Sequence, residues 1–117
     1  MTQLEIEDGK LHIKVEGADK LWALRSRLTI PLAHISKVEY DPQVAGGWWH
    51  GIKAPGSNVP GVLTAGTFYQ HGQKVFWDVH NPDNTIILTL HDETYQKLII
   101  EVDDPMAAEN QISAALT

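Results

Sequence analysis

Residues 4–15 read Leu4-Glu5-Ile6-Glu7-Asp8-Gly9-Lys10-Leu11-His12-Ile13-Lys14-Val15. Apolar side chains take every second position on both sides of Asp8-Gly9, which is the period of a strand with one buried face. Asp8-Gly9 tolerates the positive φ angles of a type I′ turn. A two-residue loop there pairs Ile6 with Leu11 and Leu4 with Ile13 on one face. It pairs Glu7 with Lys10 and Glu5 with His12 on the other. Pattern and turn chemistry agree on an antiparallel hairpin, so the chain opens as a β protein.

The same period continues outward. Residues 18–24 (Ala-Asp-Lys-Leu-Trp-Ala-Leu) are compatible with a short helical turn or a bulged strand. Leu28, Ile30 and Leu32 alternate, and Pro31 places them at a sheet edge or a strand end. Ile35, Val38 and Tyr40 carry the core pattern to Asp41-Pro42. Further on, Thr67-Phe68-Tyr69-Gln70 and Val75-Phe76-Trp77-Asp78-Val79 form a hairpin. With Gly72-Gln73 as its loop, Phe68 faces Trp77 and Gln70 faces Val75. Asn81-Pro82-Asp83-Asn84 then turns the chain, which sets Val79 against Ile86 and Trp77 against Leu88. A corner over residues 91–97 leads to a last strand carrying Leu98, Ile100 and Val102. The end is helical over 104–116: Asp104 caps, Pro105 takes the first helical position, and Ala108, Ile112, Ala115 and Leu116 make an apolar stripe. Trp22 and Trp77 belong to the core by their apolar neighbours.

Composition narrows the function. The chain has 117 residues, 43% of them apolar and 21% charged, as expected of one globular domain spanning 1–117. Fifteen acidic against nine basic residues give a net charge of −6, so the basic footprint of a nucleic-acid or membrane binder is missing. No cysteine is present, which excludes disulfides, thiol nucleophiles and Cys-based zinc sites. No apolar run is long enough to span a bilayer, and Met1-Thr2-Gln3-Leu4-Glu5 lacks the basic-then-apolar pattern of a secretory signal. The expectation is a cytoplasmic protein.

Residues 42–66 depart from the regular pattern. They hold six of the nine glycines, with Pro42, Pro55 and Pro60 and the pair Trp48-Trp49. A loop this long in a compact domain binds something or packs as an ordered flap. Taken together, about seven short antiparallel strands and a terminal helix describe a bent barrel or sandwich whose open end the helix covers.

The run Leu28-Thr29-Ile30-Pro31-Leu32-Ala33-His34-Ile35 is similar to the "strand, Ile-Pro-Leu, helical turn, Ile" element of bacterial pleckstrin-homology-like domains. Leu98-Ile99-Ile100-Glu101-Val102-Asp103-Asp104-Pro105, followed by an amphipathic helix, resembles the closing strand and cap of the same family. The resemblance implies a mostly β, PH-like fold: a bent, seven-stranded antiparallel barrel or sandwich closed by one C-terminal α-helix. It implies no single activity, since such domains bind lipid headgroups, peptides or one another. Carried over residue by residue, the family's lipid-headgroup positions near the first hairpin correspond to Lys14, Lys20, Arg25 and Arg27, here interspersed with Glu5, Glu7, Glu16 and Asp19.

Chemistry-bearing motifs are sparse. Among six histidines there is no HxH or HxxxH spacing, so no strand or helix supplies two metal ligands from one face, and no metal or other cofactor is expected. His71, His80 and His91 read as surface residues at strand ends, and His34 as a partly packed turn residue. Ser26, Ser36, Ser57 and Ser113 lack the Gly-x-Ser-x-Gly context of a nucleophile elbow, and no phosphate loop occurs. Asp103-Asp104 is explained by the helix cap. No catalytic residues are assigned. The remaining candidate is the loop, where Trp48, Trp49 and His50 with Lys53 set flat apolar surface and one positive charge among glycines. The competing reading is that both tryptophans fill the barrel mouth or staple the flap down. The expectation is a non-enzymatic module that binds a protein partner, or itself as a homo-oligomer, through residues 42–66. The alternative is a small-molecule or lipid-headgroup binder, or an enzyme, using the barrel mouth.

Overall fold

The computed structural model describes residues 2–15, 27–41, 43, 64–70, 72–79 and 81–116. These form eight strands in two sheets and one C-terminal helix. Strands β1 (Thr2–Glu7), β2 (Lys10–Val15) and β3 (Arg27–Pro31) make a three-stranded antiparallel sheet in that order. β4 (Ile35–Glu39), β5 (Thr64–Gln70), β6 (Gln73–Val79), β7 (Thr85–Leu90) and β8 (Lys97–Glu101) make a second sheet of order β4-β7-β8-β6-β5. Helix α1 runs over Pro105–Leu116. A 3-10 turn, Leu32–His34, links the two sheets.

The opening hairpin has the expected register, with Ile6 opposite Leu11, Leu4 opposite Ile13, Glu7 opposite Lys10 and Glu5 opposite His12. Its turn places Asp8 at φ 54° and Gly9 at φ 73°, the left-handed pair that a type I′ loop needs. Pro31 ends β3, which is an edge strand among the described residues, so its missing N–H costs no ladder bond there. Helix α1 is capped as its sequence indicates: the Ala107 N–H donates to Asp104 Oδ1 at 3.0 Å.

Two expected pairings are corrected. The β5–β6 hairpin closes with Gln70 opposite Gln73, so Phe68 lies opposite Val75. Gly72, at φ 73°, takes the second loop position rather than the first. The slip is of two residues, an even number, so every side chain keeps its face. More consequentially, β6 and β7 do not pair. β8 inserts between them, antiparallel to β7 and parallel to β6, with Ile99 opposite both Ile87 and Trp77. The physical reason lies in Leu98-Ile99-Ile100, three consecutive apolar residues that are all fully buried. A strand apolar on both faces belongs in the centre of a sheet covered on both sides, whereas β4, with Ser36, Lys37 and Glu39, tolerates the edge.

The main core lies between the sheets and under the helix. It joins Leu11, Ile13, Val15, Leu28 and Ile30 of the first sheet to Phe76, Ile86, Leu88, Leu98 and Ile100 of the second and to Ala108 and Ile112 of α1. A second cluster, Val75, Trp77, Val79, Ile87 and Ile99, occupies the opposite face of the larger sheet and is equally buried. Each large aliphatic side chain so buried stabilises by about 1.5–3 kcal/mol. No helix among the described residues is long and apolar enough to cross a membrane.

Candidate functional site

A polar cluster forms where the Leu32–His34 turn meets the corner after β7. Leu90 closes β7 opposite Ile35, and the His91 main-chain N–H then donates to the His34 carbonyl at 2.9 Å. That bond brings two rings distant in sequence to a centroid separation of 5.9 Å. Asp92 at φ 58° turns the chain so that Glu93 points back, and its Oε2 lies 2.5 Å from His34 Nδ1. On the other side, Ser36 Oγ lies 2.6 Å from His91 Nδ1.

Ser36 owes its position to a local irregularity. Ile35 pairs with Leu90 and Lys37 with Thr89, leaving Ser36 as the extra residue of a β-bulge. A bulge bends the strand and re-aims the side chain it carries. Ser36 also lines a groove of about 330 Å³ whose other walls are Leu32, Ala33, Ile35, Ala115 and Leu116, at the C-terminal end of α1. The cluster is therefore an imidazole–carboxylate pair beside a hydroxyl–imidazole pair, at the rim of a groove with aliphatic side chains and exposed main-chain polar groups.

The residues singled out in the sequence are distributed differently. Trp48, Trp49, His50 and Lys53 lie outside the described residues, as do Trp22, Lys20, Arg25, His71 and His80. Lys14 and Arg27 are brought together: they are direct partners across β2 and β3. They line a depression of about 240 Å³ with Gln3, Leu4, Glu5, Glu7 and His12. Two carboxylates thus share the depression with the two cations, so its field is mixed rather than anion-attracting. His34 is in the expected turn and partly buried, and His91 is exposed just beyond a strand end as expected, with Ser36 as its partner. Sequence reading missed the Ser36–His91 and His34–Glu93 pairs because no local motif encodes them; the paired residues are 55 and 59 positions apart. Asp78 is fully buried on the inter-sheet side of β6, flanked by Ile100 of β8. No three His, Cys, Asp or Glu side chains among the described residues converge as metal ligands would.

Comparison with known proteins finds no matching family model, no matching curated protein and no matching solved structure.

Proposed function

We propose that the chain is a PH-like interaction module of the cytoplasm that engages a protein partner, or a second copy of itself, through residues 42–66. The observation that carries this reading is the continuity of that segment with an edge strand. Residues 64–66, the last of the segment, are the first of β5, which among the described residues pairs only with β6. Tyr69, further along the same strand, is 77% exposed. An edge strand accepts a further strand through its main chain, and aromatic side chains beside it supply buried area at low entropic cost. Trp48 and Trp49 precede this edge in the sequence and are its natural aromatic complement. Two β-sheets, a connecting 3-10 turn and a terminal helix support the PH-like assignment, with the parallel β6–β8 pair a departure from an all-antiparallel barrel. The headgroup alternative draws on Lys14 and Arg27, and Glu5 and Glu7 in the same depression oppose it. Pull-down and native mass spectrometry of the full chain, wild type against a Trp48→Ala/Trp49→Ala variant, test the reading. Loss of assembly or of partner capture supports it, and unchanged binding removes it.

A further inference from the structure

The geometry points to Ser36 as a nucleophilic serine, activated by His91, that accepts acyl groups from uncharged esters whose acyl chain lies in the adjoining groove. This goes beyond the interaction reading and rests on a different part of the molecule. Three features converge on one hydroxyl. First, Ser36 Oγ is 2.6 Å from His91 Nδ1, within the range expected of a nucleophile and its base. With the imidazole proton on Nε2, Nδ1 accepts the serine hydroxyl. Second, the base is held in place: its main-chain N–H is bound to the His34 carbonyl at 2.9 Å, and the His34 ring, tied to Glu93, stands against it. Third, the hydroxyl is exposed on a bulge and borders a groove of about 330 Å³.

The groove also selects the substrate class. Apart from Ser36, its lining side chains are aliphatic, while main-chain polar groups make up much of its open surface, so it offers a short acyl chain apolar contact and an ester hydrogen-bonding groups. It lies at the C-terminal end of α1, whose last turn carries no basic residue. A helix C-terminus disfavours an anion, so a neutral ester fits better than a free acid or a phosphate. In the acylation step Ser36 Oγ forms a bond to the carbonyl carbon and its proton passes to His91 Nδ1. The bond from that carbon to the leaving oxygen breaks, and the leaving alkoxide takes the proton from Nδ1 to depart as an alcohol. His34 and Glu93 act as positioning residues for the base.

The test uses the full chain and p-nitrophenyl butyrate, with nitrophenolate release followed optically and the acyl adduct located by peptide mass mapping. Ser113, exposed on α1, is the internal comparator. The expected result is an adduct on Ser36 formed at least tenfold faster than on Ser113, absent in Ser36→Ala. In His91→Ala, which keeps the nucleophile, acylation slows by about 10²-fold. Both side chains are exposed, so thermal unfolding of the variants at the wild-type midpoint shows that the fold is intact. Labelling of Ser36 no faster than Ser113, or an unchanged rate in His91→Ala, overturns the proposal.

Discussion

Phe76 and Trp77 are adjacent in the chain, are both fully buried, and lie in different cores. Phe76 meets Tyr95 edge-on between the two sheets, whereas Trp77 meets Phe68 edge-on across the opposite face. Both faces of the larger sheet are therefore buried, not the inter-sheet face alone.

Both faces should thus be costly to disturb. Ile100→Ala removes side-chain volume from the inter-sheet core, and Ile99→Ala removes it from the opposite face. Each variant is expected to lose about 2–5 kcal/mol in urea unfolding. A loss below about 1 kcal/mol for Ile99→Ala would mean that the second cluster is not a packed core.

The first hairpin depends on backbone conformation at one glycine. A Cβ on Gly9 meets nothing within 4 Å, but the residue sits at φ 73°. Gly9→Ala is expected to cost about 1 kcal/mol through the left-handed conformation alone, and Asp8→Asn close to nothing. Equal stability of the two variants in thermal melts would count against the type I′ turn.

Asp104 satisfies the Ala107 N–H at the start of α1. Asp104→Ala is predicted to lower stability by about 1 kcal/mol, with Asp104→Ser recovering most of it. Serine giving no recovery would assign the loss to something other than the cap.

Local chemistry made much of this fold legible. Alternation and Asp8-Gly9 set the first hairpin residue by residue, and Asp104-Pro105 set the start of α1. What lay beyond reach was non-local. That β8 runs parallel to β6 depends on competition among three apolar strands for the centre of one sheet, in which Ile99 mattered as much as Leu98 and Ile100. Gly72 fitted two loop registers, and only the packed sheet selects one. The Lys14–Arg27 partnership follows from strand pairing across residues 16–26. The Ser36–His91 contact follows from a bulge and a corner brought together by the β4–β7 ladder, and neither position carries a motif.

Tyr69 offers a way to separate association from folding. Because it is 77% exposed, Tyr69→Ser should change unfolding free energy by no more than about 0.5 kcal/mol. On the interaction reading it should still weaken assembly or partner capture by about tenfold, as loss of an aromatic at a strand-addition edge would. Parallel chemical denaturation and binding titrations decide this, and a variant that binds like wild type would exclude β5 from the interface.

On the interaction reading, residues 42–66 and the edge they lead into form a binding surface. Native mass spectrometry of the wild-type chain and the Trp48→Ala/Trp49→Ala variant, each also after exposure to candidate partners, tests it most directly. Species above 13.0 kDa are expected for the wild type, as a multiple of that mass or as a partner complex, and are expected to be lost in the variant. Identical mass distributions and identical partner capture for the two proteins would contradict it.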